Sequence, residues 1–114
     1  MRINGKTFVV TGGGSGMGRE LVLQLLTRGA RVAAVDVRAE ALQETSELAQ
    51  AGDMLSLHVV DITDLVAVTA LVDNVRLAHG EVDAVINNAG IIQPFVSVND
   101  LDFEHIRQAL DVNL

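Results

Sequence analysis

The chain has 114 residues, 49% of them apolar, with a formal net charge of −7 and a pI near 4.7. That is material for one compact domain with a full core, taken as residues 1–114, and not for a disordered chain. The acidic balance without a basic cluster makes the chain a poor candidate for a nucleic-acid or anionic-membrane binder. The absence of Cys excludes disulfides, zinc–thiolate sites and thiol catalysis.

No apolar run reaches the length of a membrane span, and residues 1–6 lack a signal-peptide layout, so a cytoplasmic location is expected. The chain also has no Tyr and no Trp, and Lys6 is its only Lys. A mechanism that needs a catalytic Tyr is therefore outside these residues.

Apolar runs alternate with amphipathic ones. Residues 7–10 are apolar or β-branched, as in a strand buried on both faces. A glycine cluster follows. Residues 18–28 then set Leu21, Val22, Leu25 and Leu26 at helical spacing, with Gly29 as a stop. Residues 31–36 predict a second strand. Residues 39–51, rich in Ala, Glu, Gln and Leu, predict a helix closed by Gly52. Residues 54–60 predict a third strand. Residues 63–79 predict a helix, capped by Thr63 or Asp61, with Leu65, Val68, Leu71, Val72 and Val75 on its apolar face and Gly80 at its end. Residues 82–86 predict a fourth strand. A loop with Pro94 leads to a last helix, where Asn99 and Asp102 resemble a capping box and Phe103, Ile106, Leu110 and Leu114 share a face.

The order βαβαβαβα implies right-handed crossovers and an α/β fold: a doubly wound parallel sheet, with its ligand crevice at the carboxyl ends of the strands. The turn after the first strand reads T-G-x-x-x-G-x-G, from Thr11 to Gly18. Bare backbone amides at a helix start suit a phosphate, and side chains would block its approach. Gly12 allows the tight turn, Gly16 the close approach of a pyrophosphate, and Gly18 the packing of the helix. A P-loop is excluded, because Arg19-Glu20 stands where Lys and a metal-binding hydroxyl are needed. The G-x-G-x-x-G spacing fails too, since counting from Gly12 its last glycine falls on Met17. A ligand-free glycine turn has the same composition, but the strand before, the helix after and an acid beyond favour a dinucleotide. That acid is Asp36, at the end of the second strand. Its carboxylate can accept both ribose hydroxyls and would repel a 2′-phosphate, which favours NAD over NADP. Arg38 is the one residue nearby that argues for NADP. His58, His79 and His105 lack the spacing of a metal site, so none is expected. His79 suits the C-terminal end of a helix dipole.

With these residues in place, the sequence resembles the classical short-chain dehydrogenase/reductase family, along its whole length. Thr11-Gly12 through Gly16-Met17-Gly18 resembles the family's glycine motif, with Met17 where a branched aliphatic is commoner. Asp61-Ile62 matches the adenine-binding Asp, Asn87-Asn88-Ala89-Gly90 the NNAG motif, and Asp111-Val112-Asn113-Leu114 the segment with the catalytic Asn. The resemblance implies a Rossmann-type fold and a nicotinamide cofactor. It implies that Gly12, Ser15, Gly16, Met17 and Gly18 form the pyrophosphate turn and that Asp36 holds the adenosine ribose. It further implies that Asp61 and the Ile62 N–H read the adenine edge, and that Asn87 with the Ala89–Gly90 backbone borders the nicotinamide ribose. Asn113 is the implied catalytic Asn, holding a water of the proton relay.

The resemblance also implies hydride transfer between NAD(H) and a small-molecule alcohol or ketone. The family's Ser and Tyr-x-x-x-Lys pair follow the Asn and are not among these residues. The expectation is the cofactor-binding part of a longer enzyme, inactive alone, with a non-catalytic NAD-binding or assembly module as the alternative. The family's fourth strand is internal, so here it is expected at an edge. That edge and the last helix favour a homo-oligomer.

Overall fold

The structure, a computed structural model, describes residues 2–88. Within them lie β1 (Thr7–Thr11), α1 (Gly16–Thr27), β2 (Arg31–Asp36), α2 (Ala39–Ala49), β3 (Leu55–Val59), α3 (Leu65–His79) and β4 (Ala84–Asn87). The four strands form one parallel sheet in the order β3-β2-β1-β4. The expected last helix, with Asn99 and Asp102, and the loop of Pro94 lie outside the described residues.

The side-chain period of two divides the strands between two cores. Phe8, Val10, Val32, Ala34, Ala84 and Ile86 face α1 and α2, against Val22, Leu25 and Leu42. Val9, Ala33 and Val35 face the other way, onto Ile62 and the α3 residues Leu71 and Val75. The chain steps from β1 to β2 to β3 in one direction, then crosses back to β4. Right-handed crossovers therefore put α1 and α2 on one face and α3 on the other. Central strands buried on both faces read as continuous apolar runs, which is why β2 keeps its expected bounds. An apolar cavity of about 280 Å³ lies between α3 and the sheet, lined by Val9, Val68, Val72, Val82 and Val85 among others. Among the described residues β4 is a sheet edge.

The helix ends differ from the expected ones. α1 starts at Gly16 rather than Gly18. α2 stops at Ala49, short of the expected close at Gly52, because Gln50 already takes the left-handed conformation (φ 47°). Gly52 instead opens a single 3₁₀ turn, Gly52–Met54. α3 is capped by neither Thr63 nor Asp61. Asp64 is its N-cap, accepting from the Val66 and Ala67 N–H groups at 3.0 and 3.2 Å. Gly29 and Gly80 take positive φ at the ends of their helices, as expected.

Two histidines meet across elements. Ser56 Oγ lies 2.7 Å from His58 Nε2 and 2.8 Å from His79 Nε2. Burial holds His58 below its ordinary value of 6.5, and the neighbouring His79 adds to this. Burial also lowers His79; the Arg31 charge adds to the drop, and the Val32 backbone opposes it. Well above pH 6.5 both rings are neutral whether the chain is folded or not. As the pH falls through 6.5 the unfolded chain takes up protons that the folded chain refuses, so stability declines. The urea midpoint should be lower at about pH 5.5 than at about pH 7.5, and a His58→Gln, His79→Gln double variant should flatten that slope. An unchanged slope in the double variant would remove these rings from the account.

Candidate functional site

Thr11, Asp36 and Asn87 end three neighbouring parallel strands, so their side chains gather at one edge of the sheet. The glycine turn crosses that edge. It starts with Gly12 at φ 69° and is pinned by the Gly13 N–H donating to the Val35 carbonyl at 3.0 Å. Its glycines serve different ends. A Cβ on Gly13 would come within 2.9 Å of Ala34 Cβ. One on Gly14 would come within 2.7 Å of Ala41 Cβ and 2.8 Å of Asp36 Oδ2. One on Gly18 would overlap the Gly12 carbonyl oxygen, so α1 packs on the turn itself. Gly16 has φ 56° and nothing within 4 Å of a Cβ position, so its outer face is open.

α1 begins at that open face. Ser15 is its N-cap, in an extended conformation, and its hydroxyl makes no capping bond. The first turn carries no acid. The helix start thus keeps its backbone donors and partial positive charge for something outside the helix. Met17 is well exposed beside it.

Asp36 closes the turn from the β2 side. Its Oδ2 accepts from the Gly14 N–H at 3.0 Å and its Oδ1 from the Arg38 N–H at 3.2 Å. Each oxygen retains a lone pair for a further donor. Arg38 pairs with Glu40 at 3.5 Å, with both side chains more than half exposed.

Asp61 folds onto Thr63, accepting from its N–H at 2.9 Å and its hydroxyl at 2.7 Å. Those bonds favour the charged form and lower its pKa. Ile62 follows with its side chain buried in the second core. Asn87 Oδ1 accepts from Thr11 Oγ1 at 2.9 Å, and Thr11 Oγ1 accepts from the Asn88 N–H at 2.9 Å, bracing β4 on β1.

A turn of bare amides at a helix start, with a strand-end carboxylate beside it, is the geometry of a dinucleotide crevice. A family model described as short chain dehydrogenase matches residues 6–114. The chain belongs to the short chain dehydrogenase family. It is 36% identical over 111 residues to a 3beta-hydroxysteroid dehydrogenase 2 of Eggerthella lenta, with 96% of this chain and 43% of that protein covered. It is 38% identical over 112 residues to a 2,5-dichloro-2,5-cyclohexadiene-1,4-diol dehydrogenase of Sphingobium indicum, covering 98% and 44%. A crystal structure of a hydroxysteroid dehydrogenase from Escherichia coli superposes with a TM-score of 0.72 at 36% identity, over 78% of this chain and 38% of that one. The chain spans less than half the length of these relatives.

Short chain dehydrogenases use a nicotinamide cofactor, NAD or NADP, and the fold brings the expected cofactor residues among the described ones to the crevice end of the sheet. Gly12, Ser15, Gly16, Met17 and Gly18 form the turn and helix start, Asp36 stands beside them, and Asp61-Ile62 and Asn87 follow β3 and end β4. Ala89, Gly90 and Asn113 lie outside the described residues. No group of three or more His, Cys, Asp or Glu side chains suited to a metal occurs among the described residues.

Two residues behind the turn were not singled out from sequence. Thr45, fully buried on α2, sets its hydroxyl 3.0 Å from the Gly13 carbonyl oxygen. Arg19 donates from Nε to Thr45 Oγ1 at 2.9 Å, and from Nη2 to the Gly14 and Ala41 carbonyls and to Glu44 at 3.1 Å. The sequence marked Arg19 only as the residue that breaks a P-loop. A Thr in the middle of a helix otherwise rich in good helix formers was the available signal for Thr45.

The glycine packing makes an ordered expectation. Gly18→Ala should cost about 3 kcal/mol, the top of the range for overpacking. Gly16→Ala should cost about 1–2 kcal/mol, from the left-handed backbone alone. Urea unfolding of both variants tests this, and equal losses would contradict the close contact of Gly18 with Gly12.

Proposed function

We propose that these residues form the cofactor-binding part of an NAD-dependent oxidoreductase acting on an alcohol or ketone. The observation that carries the reading is the Asp36 carboxylate beside an uncapped helix start and an open glycine face. When bound, the nicotinamide supplies the chemistry, taking a hydride from a carbinol carbon or returning it to a carbonyl. The chain's own residues do the binding. The α1 amides and Ser15 hold the pyrophosphate, together with Gly12, Gly16 and Met17. Asp36 accepts the adenosine ribose hydroxyls. Asp61 and the Ile62 N–H read the adenine edge, and Asn87 with the Ala89–Gly90 backbone borders the other ribose. Asn113 is assigned the water of the proton relay.

NAD is favoured over NADP on charge. A 2′-phosphate would sit against the Asp36 carboxylate, and two like charges about 4 Å apart at an effective dielectric near 20 repel by about 4 kcal/mol. Arg38 is exposed and already paired with Glu40, so it offsets little of that.

The alcohol substrate rests on the names of the relatives, a hydroxysteroid and a cyclohexadiene-diol dehydrogenase. These residues contain no Tyr, which assigns them the cofactor part of the reaction and not turnover by themselves. The second reading is a module that binds NAD without turnover, through the same turn and carboxylate. A cytoplasmic homo-oligomer fits both readings. The exposed α3 residues Val66 and Leu77 support self-association, and no helix among the described residues is long and apolar enough to cross a membrane.

Calorimetry with NAD and NADP tests the binding. The unaltered chain should prefer NAD, and Asp36→Ala should weaken NAD about tenfold or more and narrow the gap to NADP, as for a charged hydrogen-bond acceptor lost. Unchanged selectivity would remove Asp36 from this role, and no binding of either cofactor by a folded sample would remove the proposal.

A further inference from the structure

We propose that Arg19 and Thr45 are positioning residues that aim the glycine turn at its anion. The inference rests on the reading of this turn as a pyrophosphate site. It starts from the fixed geometry of the peptide unit. No peptide bond among the described residues is cis, and in a trans unit the C=O and N–H point in opposite directions. Whatever holds a carbonyl therefore sets the direction of the next amide.

Two successive units of the turn are held in this way. The unit joining Gly13 to Gly14 is gripped at both ends. Its carbonyl oxygen lies 3.0 Å from Thr45 Oγ1, and its N–H donates to Asp36 Oδ2 at 3.0 Å. The unit joining Gly14 to Ser15 is held at one end, by Arg19 Nη2 on the Gly14 carbonyl. Its N–H, on Ser15, therefore points away from Arg19 and α2. Ser15 is the residue that opens α1, so this amide joins the donors of the helix start.

Arg19 is built for the task. Its fork reaches the Thr45 hydroxyl, the Gly14 and Ala41 carbonyls and the Glu44 carboxylate, tying the first turn of α1 to the middle of α2. A cation beside a helix N-terminus opposes the dipole, and these four acceptors compensate it. Glu44 pairs with that charge at 3.1 Å, so Arg19 acts on the turn through its hydrogen bonds and not through its field. A lysine would keep the charge but not the planar set of donors.

Thr45→Val keeps the volume and removes the hydroxyl. It should raise the dissociation constants of NAD and ADP-ribose about tenfold, the worth of one hydrogen bond of ordinary strength, and that of adenosine by less, through the Gly14 amide on Asp36. Thr45→Ser should restore pyrophosphate binding. Arg19→Lys should show the same split between ADP-ribose and adenosine, and it serves if the buried Val variant does not fold. An equal loss for ADP-ribose and adenosine, or no loss for either, would overturn the proposal.

If the unaltered chain binds neither NAD nor NADP, the functional reading fails, and hydrogen exchange still decides this one. The Gly14 amide, held on Asp36, should exchange faster in the Thr45→Val variant than in Thr45→Ser. Equal rates would overturn the proposal.

Discussion

The Gly13 N–H bonded to the Val35 carbonyl ties the end of β1 to the end of β2, and the crevice is placed by that bond. By itself it contributes only about 1 kcal/mol. Its effect is geometric. It forces the chain leaving β1 to cross the end of β2 within two residues, against Ala34 on one side and Ala41 on the other. A backbone at that distance has no room for a Cβ at Gly13, Gly14 or Gly18. The short side chains of Ala34 and Ala41 are the other half of the same fit. The glycines required by packing leave Gly16, with an open outer face, for an approaching ligand.

Most of the fold could be read from the residues because its signals are local. β2 is apolar and central, and its bounds were recovered. The order of strands and helices followed from apolar periodicity and from Gly29 and Gly80. The errors lie where two residues compete for one role. Asp61, Thr63 and Asp64 are all N-cap formers within four positions, and only the backbone path shows that Asp64 caps α3 while Asp61 turns onto Thr63. Gln50 holds a left-handed conformation that glycine would adopt more readily, so Gly52 was the natural guess for the end of α2.

The site was legible to a similar depth. Asp36 and Asn87 stand at strand ends, and strand ends can be read. Thr45 could not be assigned, because its partner Gly13 is 32 positions away. Nor could the Asn87 brace on Thr11, which spans 76 positions. The link from His58 through Ser56 to His79 was missed for the same reason: its ends lie on different elements. Long-range polar pairs leave no period in the sequence, so the parts that hold a site are harder to see than the parts that face the ligand.

A chain of net charge −7 is a poor long-range attractor of an anion, yet the crevice is read as a pyrophosphate site. Screening resolves the conflict. At physiological salt, exposed charges fade within about 8 Å, so the local field decides. That field comes from the start of α1, whose first turn has no acid and no side-chain cap. Asp36 spends one lone pair of each oxygen on the Gly14 and Arg38 amides. It is a brace of the turn before it is a ligand contact. Its two duties are coupled: a ribose drawn to the carboxylate meets a group already fixed in place by the turn that receives the phosphates. Affinity then depends on the turn being in place beforehand, which is why residues that never face the ligand belong to the binding site.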